Sequence, residues 1–496
     1  MKHKKQLTRR DTLLGLGAAG AAWCALPGTI SAAPRAGGSA SNAATEIWVA
    51  INERVQSTTF VDTHEHLVEE AVRLDMRNRN PFIKCDDWAS LVAGYLYSDL
   101  ISAGLSVEAD PTNPEQSLFS SNIDPIKKWQ LIKPYWPAVR NTGYGMVMRE
   151  SIKALYGVED LSDDTIGKVQ AGYEKTRGPG FYRRILCNVA KVESCQVNSF
   201  EGTFVESADP TLLMQDINAI ALLATEPFGS MAQAWTREAC QKPTGINATS
   251  LSDWHRVIDW WFDKYGQYAV AVKSQLAYTR DIDHLQTAAE LAETPFAKLV
   301  EGVGITDEEK KIVEDHLFWY TVSKANEYQL PVKLHTGYYA GANSMPLSRL
   351  INNPGSACDL CRAAPETPFV FMHICYPYYE ELISIAKHYT NAYIDMCWAW
   401  IVNPLAAKDF LKKYLVTAPA NKVLCFGADY TIVENVVGHA VVARRGITRS
   451  LSELVEEGWL DLDEALRLVP QLMNGNAHQV FHLEAKTKAL AKAPWA

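Results

Sequence analysis

The stretch T58-T-F-V-D-T-H-E-H-L-V-E-E70 decides how the rest of the chain is read. It places His64 and His66 two residues apart at the end of a short apolar run. On a helix, positions i and i+2 point to nearly opposite sides, so two such rings cannot meet one ion; on a strand they share a face. Thr59, Phe60 and Val61 are strand formers, so the run reads as a β-strand ending near His64. Two imidazoles on one strand face can chelate a metal, and the alternative is two solvated or hydrogen-bonded histidines. Only the rest of the chain separates these readings.

The chain has 496 residues, 47% of them apolar, which suits one large α/β domain with insertions and excludes global disorder. The formal charge is −9, and residues 1–36 are basic, so the body is more acidic still. An acidic body without a basic stripe argues against nucleic-acid binding and says nothing specific about a small-molecule substrate. No GxSxG, Walker loop or dinucleotide fingerprint occurs, so serine-nucleophile, NTP and NAD chemistry lack support.

Residues 1–36 read as a targeting segment: a basic start, the apolar run Leu13 to Leu26, then small residues. Thr8-Arg9-Arg10-Asp11-Thr12-Leu13-Leu14 resembles a twin-arginine signal, with Thr12 in place of the usual Phe. The run is too short and glycine-rich for a stable membrane anchor. The expectation is recognition by the twin-arginine export machinery, cleavage near Ala32 to Ala36, a flexible linker over 37–44, and a periplasmic or secreted body over 45–496. Nine cysteines remain beyond Cys24, including a lone C358-x-x-C361; folding before export favours mostly buried free thiols.

Five strands alternate with helical patterns in the second half: 268–277, 330–337, 368–375, 391–398 and 422–430, with helices over Asp307 to Tyr328, Tyr378 to Tyr389 and Pro404 to Leu415. Less distinct strand candidates lie at 185–195 and 217–223. With the His64 strand the count is eight, which predicts a (β/α)8 TIM barrel rather than an open doubly wound sheet. Residues 84–180, rich in Trp, Tyr and Pro, read as a mostly helical insertion after the first strand, placed to cover the barrel mouth or to serve as a packing appendage.

The strand ends carry a pattern. His64 and His66 end the first, Lys273 lies near the end of "YAVAVK", His335 ends "PVKLH", His373 ends "FVFMH" and Asp429 ends "VLCFGAD". A barrel converges these ends on one cavity. In this order they resemble the amidohydrolase superfamily, which carries HxH, Lys, His, His and Asp after strands one, four, five, six and eight. "LPVKLHTGY", "FGADYTIVENVVGHAVVARR" and "NGNAHQVFHL" are similar to its amidohydrolase 2 branch, including modules joined to glutamine-synthetase-like domains, with uronate isomerases more distant.

The resemblance implies a divalent metal, zinc by preference, as one or two ions held by His64, His66, Asp429 and His335. It implies that Asp429 moves the proton of an activated water, and that His373 polarises a carbonyl, bonds the water or binds metal. Lys273 is a carboxylated bridging ligand, a contact to a substrate carboxylate, or a rim salt bridge. Asp62 is a buried partner of the histidines or a cap on the strand. Arg280, Tyr338, Tyr339, Glu434 and His439 are weaker candidates for the mouth. The function implied is hydrolysis of an amide, ester or related C–N or C–O bond. A decarboxylase or uronate-isomerase-like enzyme on the same barrel, and a non-catalytic periplasmic binding protein, are the alternatives. Exposed barrel helices leave homo-oligomerisation open.

Overall fold

A computed structural model describes residues 37–75, 83–106, 118–226, 235–341 and 345–496, with side chains from residue 43 onward. The segment read as a targeting signal lies outside the described residues. Residues 37–44, expected as a flexible linker, are instead the first turns of helix α1 (Gly37–Ser57). Ala40, Ala43 and Ala44 favour helix, and the apolar spacing of Ile51 and Val55, both buried, continues it.

The barrel strands are β1 (Phe60–Glu65), β2 (Val192–Val197), β3 (Leu213–Gln215 running on through Asp216 to Ile217–Asn218), β4 (Val272–Ser274), β5 (Val332–Leu334), β6 (Phe369–Phe371), β7 (Ala392–Asp395) and β8 (Val423–Leu424). Each pairs in parallel with the next. Asp216 joins the two halves, because its N–H donates to Val197 while that of Ile217 donates to Ala271 (both 2.9 Å). The ring closes where Thr63 N–H donates to the Phe426 carbonyl (3.0 Å) and Asp429 N–H to that of His64 (2.9 Å). The protein is a (β/α)8 barrel, as the alternation predicts.

Two strands differ from expectation. Residues 185–190 lie in a π-helical turn (Arg184–Ala190), and β2 begins only at Val192. Ile185 and Leu186 are buried while Asn188 and Val189 are exposed, a helical order that the apolar content concealed. The third strand precedes the segment expected: β3 ends at Asn218, and Ile220–Leu223 is already helical.

Between β1 and β2 the insertion is helical, and its longest member is α2 (Gly143–Tyr156). Among the outer helices, α3 (Asp307–Glu327) starts on a capping box in which Thr306 and Glu309 satisfy each other's backbone N–H. Further along come α4 (Tyr379–His388), α5 (Pro404–Leu415) and α6 (Val433–Glu456). Gly438 on α6 meets α2 so closely that a Cβ there would lie 2.2 Å from the Val147 carbonyl oxygen.

Inside the ring, Val61, Met214, Val370 and Leu424 pack on Val480 and Phe481 at the end of α7 (Asn476–Val480), a plug at the end away from the histidines. Above it, Lys333 reaches both carboxylate oxygens of Asp216 (3.0 Å) and the Thr63 carbonyl (2.8 Å). A buried charge survives there because it is paired and hydrogen-bonded.

Candidate metal centre

β1 and β8 lie side by side, and this neighbourhood builds the site. Asp429 sits at φ +62°, a left-handed conformation that Asp tolerates better than most residues and that turns its carboxylate back toward β1. Its Oδ1 lies 3.1 Å from Nε2 of His66 and 3.4 Å from Nε2 of His64. All three side chains are buried, and their ligand atoms fall within 4.8 Å of one another.

Two neighbouring acids hold this arrangement. Asp62, fully buried, accepts from the N–H groups of His64 (3.2 Å) and Ala428 (3.3 Å). Glu65 accepts from Tyr430 N–H (2.7 Å). The HxH segment therefore grips strand eight on both sides of Asp429. Burial raises the Asp62 carboxyl to about 7 and Glu65 well above the usual range.

The histidine tautomers follow from their partners. His66 Nδ1 faces the Asn198 carbonyl at 2.7 Å, which can only accept, so Nδ1 carries a proton and Nε2 is turned toward Asp429. At 3.1 Å a proton or a metal cation must lie between that nitrogen and the carboxylate, because a bare lone pair there would be repulsive. His64 is fully buried, which pushes its pKa well below the ordinary value and keeps it neutral, and its Nδ1 has no partner among the described residues. Burial alone would raise the Asp429 carboxyl, but the imidazoles beside it more than offset this and hold it ionised. Two imidazole nitrogens and one carboxylate oxygen are a donor set that suits a divalent ion of the zinc type with coordination positions left over.

The other predicted residues gather around this set without joining it. His373 lies at the end of β6 with Nε2 3.9 Å from Asp429 Oδ2. Its Nδ1 donates to the Cys397 carbonyl (3.1 Å), and burial lowers its pKa to about 4, so it is neutral with a free lone pair on Nε2. That tautomer accepts a hydrogen bond or a cation and does not donate to a carbonyl. His335 packs on His373, ring centroids 4.5 Å apart, and gives its Nε2 proton to the Tyr338 carbonyl (2.9 Å), outside the three-residue set. Lys273 is fully buried with the Met372 sulfur 2.9 Å from Nζ, and burial lowers its pKa to about 8. It is not a rim salt bridge.

Of the weaker candidates, Arg280 is taken up by Asp315 (2.6 Å) and Glu314 (3.4 Å) away from the site. Glu434 pairs with buried Arg73, and His439 packs behind β8 on Phe426. Cys358 and Cys361 are free thiols within one helix. The aromatic-rich insertion was expected to cover the mouth or to serve as a packing appendage, but Tyr95, Phe200 and Trp398 were not singled out. The insertion sends Tyr95 to the site, where its hydroxyl donates to the backbone carbonyl of Asp429. Phe200 stacks on His66 at 3.9 Å, and Trp398 stands edge-on to His373 at 5.3 Å. His373 and Trp398, like Asp429, hold positive φ (62° and 61°), and such strain collects at functional sites.

The fold is matched by known proteins. Residues 254–483 match the family model described as Amidohydrolase. Protein fluG of Emericella nidulans is 24% identical over 233 residues, 45% of this chain and 26% of that one, so the chain spans about a quarter of that relative. Among solved structures, the uronate isomerase of Thermotoga maritima superimposes with a TM-score of 0.70 at 15% identity, covering 88% of this chain and 97% of that one. The glucuronate isomerase of Caulobacter crescentus gives 0.68 at 15%, covering 93% and 96%. A protein provisionally named a metal-dependent hydrolase from Lactobacillus casei gives 0.59 at 15%, covering 88% and 98%. The fold is thus a (β/α)8 barrel shared with these solved structures, and its strand ends hold a candidate metal site.

Proposed function

We propose that the protein is a metal-dependent hydrolase that cleaves an amide- or ester-type bond of a small molecule. The observation that carries this reading is the convergence of His64, His66 and Asp429 at one point, with two imidazole nitrogens facing one carboxylate oxygen. When bound, a divalent ion, zinc by preference, supplies Lewis acidity and makes water a nucleophile near neutral pH.

The chain's own residues supply the rest. The Asn198 carbonyl fixes the His66 tautomer, and Asp62 and Glu65 fix the backbone around Asp429. His373 offers Nε2 as an acceptor that orients the attacking water. Asp429 takes that water's proton and delivers it to the leaving amine or alkoxide. His335 packs behind His373 and keeps its ring in place. Lys273 serves in one of two ways: as its carbamate it adds a ligand and admits a second ion, and as an ammonium it holds a substrate carboxylate. The twin-arginine-like leader supports a periplasmic or secreted location.

The test is metal content per chain by inductively coupled plasma mass spectrometry, for wild type and for His64→Ala/His66→Ala, paired with ester and amide hydrolysis before and after metal removal. One or two equivalents that vanish in the double variant, together with hydrolysis that follows the metal, support the reading. A wild type without metal refutes it. Isomerisation is the second reading, favoured by the fold shared with two uronate isomerases. Conversion of glucuronate by a protein inert toward esters and amides would establish it.

A further inference from the structure

Asp395 closes β7 and is fully buried, where a carboxylate is costly unless its oxygens are met. Both are. Oδ2 accepts from the hydroxyl of Thr63, the residue before His64, at 2.7 Å. Oδ1 accepts from the backbone N–H of Cys397, two residues on, at 2.8 Å. The flanking N–H groups of that turn, on Met396 and Trp398, donate to the Leu424 and Gly427 carbonyls (both 2.8 Å). The Cys397 N–H between them is taken by the Asp395 side chain instead.

An aspartate that caps the turn after its own strand is common. What this turn carries sets it apart. The Cys397 carbonyl accepts from Nδ1 of His373 at 3.1 Å, and the Cys397 sulfur lies 3.4 Å from the same nitrogen. An imidazole with its proton on Nδ1 keeps Nε2 as an acceptor. Were this peptide to turn away, the proton could move to Nε2, which lies 3.9 Å from Asp429 Oδ2, and His373 would become a donor to that carboxylate. The other oxygen of Asp395 holds β1 beside a candidate ligand, and the rings of His64 and His373 are 5.9 Å apart. Asp62 and Glu65 tie β1 to the residues around Asp429. Asp395 ties β1 to the His373 side.

We propose that Asp395 is a positioning residue of the candidate centre: through Thr63 and the Cys397 peptide it sets His373 against His64 and keeps the His373 proton on Nδ1. The inference rests on the reading that His373 Nε2 is the acceptor that orients the attacking water. Asp395 itself touches neither the candidate ligands nor the water; it acts through the residue before one ligand and through the peptide that selects the tautomer.

The experiment is nitrogen-15 NMR of the full chain labelled at histidine, with His373→Gln to assign the His373 signals. It compares wild type, Asp395→Asn and Asp395→Ala, with Asp395→Leu in place of the alanine variant should that one not fold. The two ring nitrogens of a neutral histidine resonate far apart, according to which carries the proton. The expected wild type holds the His373 proton on Nδ1. Asp395→Asn keeps an oxygen for the Cys397 N–H and an amide for Thr63, so it should keep that pattern. Asp395→Ala should lose it, with the proton on Nε2 or spread over both nitrogens. Its metal content should match wild type, because His64, His66 and Asp429 are untouched. In an ester or amide assay its kcat should fall about 10–100-fold at nearly constant KM. A wild-type proton on Nε2 overturns the proposal. So does an unchanged Nδ1 signal in folded Asp395→Ala or Asp395→Leu, or loss of metal from either. Failure of both variants to fold assigns Asp395 to stability alone and overturns it too. A chain that shows the expected tautomers but hydrolyses neither ester nor amide defeats only the hydrolase, and hydrolysis by a wild type protonated on Nε2 defeats only this inference.

Discussion

Glu65 accepts a hydrogen bond from the backbone N–H of Tyr430 at 2.7 Å, one residue past Asp429. A residue that touches no ligand thereby sets where a ligand sits. Glu65→Ala should weaken metal affinity roughly 10–100-fold, the range seen when such supporting contacts are removed. Competition against a chromophoric chelator measures it, with circular dichroism to show the barrel intact. An unchanged affinity in a folded variant would show that β8 holds Asp429 without this contact.

Asp429 has two jobs in the proposed reaction, as a ligand and as a proton carrier. Asp429→Asn keeps the shape and loses the charge, so kcat/KM should fall by about 10²–10⁴. Steady-state assay of metal-reconstituted protein tests this. Retention of more than about a tenth of the activity would remove Asp429 from the proton path.

Gly438 brings α6 against α2, with the Val147 carbonyl oxygen 2.2 Å from where a Cβ would stand. Backbone cannot swing aside as a long side chain can. Gly438→Ala should cost about 1–3 kcal/mol, read as a lower urea midpoint. It should also cut activity, because α2 carries Tyr144, whose ring lies nearly parallel to that of Trp398 at 6.4 Å. Wild-type stability in this variant would mean that α2 rides loosely on the barrel.

Asp315 joins Arg280 (2.6 Å) and Lys311 (2.7 Å) behind β4. Burial acts to raise its pKa, but His284, Arg280 and Lys311 overcome this and hold it at about 2. A depressed carboxylate stabilises the fold above its unfolded pKa near 4, and loses that contribution as pH falls through 2. Relative to Asp315→Asn, the wild type should gain about 1–2 kcal/mol at pH 5–7 after screening, and the difference should close by about pH 2. Paired urea titrations across that window give the curve, and a gap independent of pH would assign the effect to packing.

The candidate site was legible because chemistry and periodicity coincide there. His64, His66, His335, His373 and Asp429 each close an apolar run that reads as a strand, and eight such runs allow few folds. The second strand was obscured because Ile185 and Leu186 are as apolar as any strand, and only their burial order shows a helix. Trp398, Tyr95 and Phe200 left no signal. A tryptophan after a strand looks like core, and its place beside His373 is visible only once the neighbours are placed. The roles of Asp62 and Glu65 were half-hidden, since both make backbone bonds to residues more than 360 positions away.

The seal between β1 and β8 also sets a timetable. After Glu65 leaves the ribosome, 365 more residues must follow before Tyr430 exists to meet it, roughly 20–70 s at ordinary synthesis rates. Until then β1 is an unpaired edge, open to pairing with other chains, and His64 and His66 wait without their third partner. A chain interrupted before Val423 owns two of the three ligands and no closed ring. The three candidate ligands are therefore brought together only in a chain whose first and last strands have found each other.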